Sequence, residues 1–233
     1  NAALRPETGR TWTAGFDYRP SFLEGLSLHG TYFDIDFADR IARAGSIQVV
    51  FRNPSAYGGY LILDPTQAQI DAYLALADRT TGTFPPGGIE AIYDGRLTNL
   101  ASLRVRGVDL EADYHFDTSL GEFSAFVSAS GLFEFSNQPL PALDAIQALD
   151  TFNNPVDWKG RVGGSWRTDN WAALVAYNYV DDYRDNISVP NRRISSWGTI
   201  DASLTRRWGD GDGGADITLS IQNLTDEPAP FVN

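Results

Sequence analysis

The sequence predicts an all-β protein, an antiparallel up-and-down transmembrane β-barrel segment of about eight strands with one short helix in a long outer loop. Three observations lead there. Stretch after stretch alternates apolar with polar or small residues, the period-two pattern of strands with one apolar and one wet face. The connections between these stretches are short and long by turns. Aromatic residues gather near the ends of the stretches, at Trp12, Phe133, Phe135, Trp158, Trp166, Trp171, Tyr177, Tyr179, Trp197 and Trp208, as interfacial girdles require.

Composition narrows the alternatives. With 42% hydrophobic and 12% aromatic residues the chain can bury a core, so disorder is not expected. A net charge of -12 argues against nucleic acid, which demands clustered Lys and Arg. The absence of cysteine excludes a disulfide framework and a thiolate metal site. There is no apolar run of about 18 residues, and hence no expected transmembrane helix; a spanning strand needs only about 9–11 alternating residues. The mean hydropathy of -0.25 fits a membrane barrel or a soluble sheet. The chain opens Asn1-Ala2-Ala3-Leu4, without an initiator Met or signal peptide, and reads as a piece of something longer.

The first strand is expected over 8–18, with Trp12, Ala14, Phe16 and Tyr18 on one face, and a short turn follows over 19–25. A second strand covers 26–37, where Phe33, Ile35 and Phe37 alternate with Tyr32, Asp34 and Asp36. A long excursion over 38–101 contains a helix at 64–77. Asp64 or Thr66 caps it, Pro65 sits in its first turn, and Ile70, Tyr73, Leu74 and Ala77 form its apolar stripe. The third strand, 102–116, sets Val108, Leu110, Ala112, Tyr114 and Phe116 against Asp109, Glu111, Asp113 and His115. The fourth alternates from Phe123 to Phe135, and a loop with three prolines runs over 136–155. Strands five (156–166) and six (171–179) are joined by a turn at 168–170, and a polar loop spans 181–195. Strands seven (196–208) and eight (215–224) flank a glycine-rich turn, and the text closes on Asn223-Leu-Thr-Asp-Glu-Pro228 punctuation. Turns after the odd strands are short and connections after strands two, four and six are long. Outer-membrane barrels sort their loops this way, with short turns periplasmic and long loops outside. The alternative is a soluble antiparallel sandwich or barrel with its apolar face in a core.

Several motifs, in order, resemble those of a TonB-dependent outer-membrane receptor, specifically the C-terminal part of the barrel in a proteobacterial, iron-complex-receptor-like branch. Leu4-Arg-Pro-Glu-Thr8 resembles the family's lead into a strand, and Val105-Arg-Gly-Val-Asp-Leu-Glu111 its Gly-Val/Leu-Glu/Asp strand. Trp197-Gly-Thr-Ile-Asp201 and Ser220-Ile-Gln-Asn-Leu-Thr-Asp226, with Pro228 and Pro230, resemble its last strands. Pro65-Thr-Gln-Ala-Gln-Ile70 and Tyr93-Asp-Gly-Arg-Leu-Thr-Asn-Leu100 resemble its outer excursion. The resemblance implies a barrel commonly of about 22 strands around an N-terminal plug. It also implies uptake of a scarce nutrient, a ferric siderophore foremost, energised by TonB through that plug. The expected partners are the outer-membrane bilayer, TonB and a small ligand; no cofactor, metal or catalytic residue is expected. Residues 1–233 are expected to be a C-terminal slice, with the plug and the final strand lying elsewhere. The two open edges would be 8–18 and 215–224. An outer-membrane enzyme or adhesin barrel is the competing class.

Binding residues concentrate on loops held by a rigid scaffold. The expected ligand contacts are Arg104 and Arg106 at the loop end of strand three, and Asp181, Asp182, Tyr183, Arg184, Arg192 and Arg193 in the 181–195 loop. Their guanidinium groups suit an anionic siderophore or a carboxylate-bearing nutrient. Asp109, Glu111 and Asp113 read as lumen carboxylates opposite Lys159 and Arg161, with a cation or acid–base site as the alternative. Gly209 to Gly214 reads as a flexible turn, since no helix follows to make it a dinucleotide loop. His29 and His115 lack an accompanying ligand cluster in sequence, and Asn186-Ile-Ser188 and Asn223-Leu-Thr225 match a glycosylation acceptor by chance.

Overall fold

A strand whose side chains alternate can hide one face only if its neighbours keep the same register. In the computed structural model, which describes residues 4–77, 79–83, 87–209 and 214–230, the alternating stretches pair in this way. The chain runs through β1 (Thr8–Tyr18) and β2 (Leu26–Ala42) into an excursion. There α1 (Ile47–Arg52), β3 (Leu61–Leu63), α2 (Gln67–Ala75) and β4 (Ala91–Tyr93) follow in turn. Next come β5 (Thr98–Thr118), β6 (Gly121–Gln138) and the short β7 (Ile146–Gln147). The last part comprises β8 (Trp158–Arg167), β9 (Trp171–Val180), β10 (Tyr183–Asp185), β11 (Arg192–Ile194), β12 (Trp197–Trp208) and β13 (Ala215–Ile221).

The eight long strands form one sheet in the order β1-β2-β5-β6-β8-β9-β12-β13, with β7 on β6. Every long strand thus lies beside the next long strand in sequence, the up-and-down arrangement expected. Among the described residues, β1 and β13 each pair with one strand and not with each other. Strand ends differ from expectation: β2 continues to Ala42 and β5 begins at Thr98. Ladder hydrogen bonds use backbone alone, so pairing persists past the point where alternation fades.

By contact the chain divides into two units. The first comprises residues 1–10, 36–104 and 136–146. Its excursion is richer than the single helix expected. Ala44, Val50, Tyr57, Leu61, Leu100, Ala101 and Leu140 form a buried cluster of its own. Ser46 caps α1 by accepting from the Val49 amide, and the Tyr93 hydroxyl donates to the Gly45 carbonyl. Asn99 ties the strand ends together: its Oδ1 accepts from Arg5 N at 2.8 Å, while Nδ2 donates to Arg5 O and Asp39 O at 2.8 and 2.7 Å. The cap of α2 is Thr66, which forms a capping box with Gln69. The helix is shallow, however. None of its residues is buried, and the expected stripe is only half-covered at Ile70, Tyr73 and Leu74.

The second unit comprises residues 11–35, 105–135 and 147–233. Its register aligns apolar residues in rows across strands. Phe123, Trp166, Ala173, Leu204 and Leu219 stand directly opposite one another in succession, as do Val127, Val162, Tyr177 and Ile200. The reverse face carries Ser124, Ser165, Leu174, Ser203 and Ser220 in the matching row. There the side chains bond to one another: Ser124 Oγ to Ser165 Oγ at 2.7 Å, Thr205 Oγ1 to Thr218 Oγ1 at 2.9 Å, and Asn178 Nδ2 to Asp201 Oδ2 at 2.8 Å. Among the described residues no layer covers the apolar face, and Val175, Ile217 and Leu219 are 54%, 65% and 65% exposed. The glycine turn between β12 and β13 falls at 210–213, outside the described residues.

The turn between β1 and β2 depends on Gly25. Its φ is +86°, and a Cβ there would lie 2.0 Å from the His115 carbonyl oxygen. Gly25→Ala is therefore expected to destabilise the fold by roughly 1–3 kcal/mol, read as a lower denaturant midpoint with an unchanged slope.

Candidate functional site

The predicted polar loop after β9 is a folded hairpin. β10 and β11 pair with Tyr183 opposite Ile194, Arg184 opposite Arg193, and Asp185 opposite Arg192. Two arginines face each other in that register, an unfavourable placement unless one finds a counter-charge. Arg193 does: its guanidinium engages both carboxylate oxygens of Asp182. This pairing holds the Asp182 carboxyl below the usual carboxylate range, the hydrogen bonds from Arg193 outweighing desolvation. Asp181 accepts from the Tyr179 hydroxyl at 2.9 Å and from the Asp182 amide at 2.8 Å, so it shapes the loop base.

The organising residue is Asp185, which sequence reasoning missed. It is 2% exposed, and its carboxylate accepts from Ile187 N at 3.2 Å, Ser188 N at 3.1 Å, the Ser188 hydroxyl and Arg192 Nε at 3.3 Å. The Ser188 hydroxyl first, then these amides and Arg192, keep its carboxyl depressed against the opposing effect of burial. The available signal was the spacing Asp185-Asn-Ile-Ser188, an Asx-type turn in which the carboxylate folds back on amides two and three residues ahead. Because Ser188 serves this turn, the first glycosylation match is structural. The second is structural too: Asn223, at φ +53°, bonds Glu227 through both its side-chain atoms.

Of the five arginines expected to contact ligand, Arg184 is the exposed one whose guanidinium has no hydrogen-bond or ion-pair partner among the described residues. Its backbone is anchored, with Arg184 N donating to Asp150 O at 2.8 Å. Arg104 and Arg106 lie inside β5 rather than at its loop end, because that strand starts earlier than its alternation. Arg106 is ion-paired with Glu134 of β6, and its Nε is buried without a partner. Tyr183 is half-buried opposite Ile194.

Two acidic groupings also emerge that spacing could not reveal. Near the base of the hairpin, burial and the Asp150 and Asp181 carboxylates push the Asp157 carboxyl up, and Asp150 Oδ1 accepts from Asp157 N at 2.7 Å. Near the β1–β2 turn, a cavity of about 280 Å³ is lined by Asp17, His29, Glu111 and Asp113 among others, with His29 Nδ1 and Asp17 Oδ1 2.7 Å apart. Three strands separated in sequence supply these side chains, which is why His29 looked unaccompanied. Among the described residues, no group of three or more His, Asp or Glu side chains could hold a metal ion. Lys159 and Arg161 belong to β8, two places from β5 in the sheet order.

A depressed carboxyl contributes stability above its unfolded value, near 3.8 for Asp185, and that contribution is lost as pH falls through the folded value. The Ile187 and Ser188 amides are thus expected to remain protected from hydrogen exchange at mildly acidic pH and to lose protection below that window. Asp185→Ala should reproduce the loss at neutral pH, on the order of tenfold in local protection.

The family model described as TonB dependent receptor-like, beta-barrel matches residues 1–224. No curated protein matches the chain in sequence. Solved structures resemble it in fold. A mutant of the ferric enterobactin receptor PfeA from Pseudomonas aeruginosa aligns with TM-score 0.58 at 15% identity over 97% of this chain. The unliganded ferric citrate transporter FecA aligns with TM-score 0.54 at 16% identity over 95%, and the FrpB iron transporter from Neisseria meningitidis with 0.50 at 14% over 97%. The chain spans only 27%, 27% and 28% of those proteins, respectively. With the family model covering nearly its whole length and an up-and-down sheet of the matching kind, the chain belongs to the TonB-dependent-receptor-like β-barrel family.

Proposed function

We propose that this chain is part of the barrel of a Gram-negative outer-membrane receptor that imports a scarce nutrient, a ferric siderophore in the first instance. The observation that carries the reading is the two-faced sheet. Among the described residues of the second unit nothing covers its apolar face, whereas its reverse face is a ladder of Ser, Thr, Asn and Asp. A soluble sandwich would bury that apolar face in a core; lipid is the environment in which it needs no other cover. In hydrocarbon every backbone N–H and C=O must be paired within the protein, so the β1 and β13 edges have to meet further strands. That need, and the quarter-length match to solved relatives, support a closing strand and a plug supplied by other parts of the same polypeptide. TonB would act through that plug. The reading involves binding and translocation and no chemical step.

Iron is favoured because the similar structures are a ferric enterobactin receptor, a ferric citrate transporter and an iron transporter. The outer hairpin adds a physical reason. Asp185 and the Asp182–Arg193 pair hold the loop before any ligand arrives, which lowers the ordering entropy lost on binding. Arg184 is left free to meet an anionic group with charge-assisted hydrogen bonds.

Three outcomes are expected. The whole receptor of which this chain is part should show heat-dependent mobility on a denaturing gel; a monodisperse monomer of it in water without detergent would overturn the membrane reading. Deleting the gene should abolish uptake of a radiolabelled ferric siderophore by iron-limited cells, and unchanged uptake under every nutrient limitation would count against transport. Arg184→Ala should weaken ligand binding by about tenfold, the effect of one charged hydrogen bond, with hairpin protection intact.

A further inference from the structure

Arg206 has no role in the uptake reading. It lies in β12 on the apolar face, in line with Ile200, Ala202, Leu204 and Trp208, directly opposite Trp171 of β9 and Ile217 of β13. A guanidinium on a lipid-directed face is strongly unfavourable at mid-membrane and nearly neutral at the interface, so this row belongs at headgroup level. Its carbon sits 4.7 Å from the Trp171 ring centroid and 5.6 Å from that of Trp208, within cation–π range of both. Stacking of this kind uses the flat faces of the guanidinium and leaves its N–H edge for an acceptor. Arg206 has no carboxylate partner among the described residues. The next residue, Arg207, faces the other way, where its Nε lies 3.5 Å from Asp216.

We propose that Arg206, Trp171 and Trp208 form a clamp for the phosphate of one anionic glycerophospholipid in the leaflet on the short-turn side. The inference rests on the membrane reading above. The phosphate accepts from the N–H edge of Arg206, and the two indoles occupy the headgroup boundary, where an amphipathic ring is most stable. The acyl chain lies along the exposed apolar side chains leading away from Arg206: Ile217, Leu219 and Leu204, then Ile221. Charge complementarity selects an anionic headgroup over a zwitterionic one, because a zwitterion presents its own cation to the same guanidinium.

The test uses the whole receptor that contains this chain, folded in detergent micelles. Folding of each variant is checked by heat-dependent gel mobility, and bound lipid is counted by native mass spectrometry during titration with phosphatidylglycerol or phosphatidylcholine. Phosphatidylglycerol should bind preferentially, and Arg206→Gln should weaken it by about fivefold, while Arg207→Gln on the opposite face leaves it unchanged. Trp208→Leu, which keeps the charge, should also weaken binding and serves if Arg206→Gln does not fold. Wild-type affinity in Arg206→Gln, or an equal loss in Arg207→Gln, overturns the clamp. Displacement of the lipid by soluble glycerol phosphate overturns the lipid assignment in favour of a free-phosphate site. Absence of heat-dependent mobility in the wild-type receptor overturns the membrane reading itself and the clamp with it.

Discussion

Strand register keeps the two faces of this sheet chemically distinct, with Phe123, Trp166 and Leu204 on one and Ser124, Ser165 and Ser203 on the other. Because the side-chain period along a strand is two, slipping any pair by one residue would move a whole apolar row to the other face. The rows through Trp166 and Leu204, and through Val162 and Ile200, stay aligned over several strands. The reverse face reinforces the same alignment. Asn178 donates to both Asp201 and Thr199, and Asp201 in turn accepts from the Asn223 amide. A one-residue slip would break these bonds and set serines against tryptophans. Aromatic rings add a local check: a Cβ at Gly131 would fall 2.6 Å from the Trp158 ring, so the ring lies where only glycine leaves room.

Loops carry a different kind of order. In the excursion after β2, Val50 and Ala44 are completely buried and Tyr57 nearly so, which makes the segment a small packed unit rather than a mobile tether. The β10–β11 hairpin has little apolar content and is held by charge. Asp185 is fully engaged by amides, a hydroxyl and Arg192, so the backbone donors of the turn are satisfied without a core. The two devices suit their positions. An apolar core can stabilise a long insertion of some sixty residues, whereas a twelve-residue hairpin has too little surface to bury and relies on hydrogen bonds.

The candidate contacts were legible unevenly. The 181–195 loop stood out as polar and arginine-rich, and its residues Asp181 to Arg193 do share one hairpin. Which of its arginines is available was not readable, since Arg193 and Arg192 are taken by Asp182 and Asp185 through pairings set by strand register. Arg106 looked equally promising and is paired with Glu134, a residue 28 positions on that only the β5–β6 neighbourhood brings near. The Asp17, His29, Glu111 and Asp113 cavity has the same origin: three strands contribute, and no local spacing announces it.

Eight long strands and the alternation of short and long connections were legible in the chain, because period two and turn residues are local properties. The Thr66 cap of the second helix was legible for the same reason, as one of two residues that could fill that position. Where strands end, how the excursion folds and which charges remain free emerge only in three dimensions. Those outcomes depend on partners distant in sequence: a ladder can outlast alternation, and a buried cluster such as Ala44, Val50 and Leu140 exists only when its members meet. An arginine's availability, likewise, is a fact about its neighbours in space.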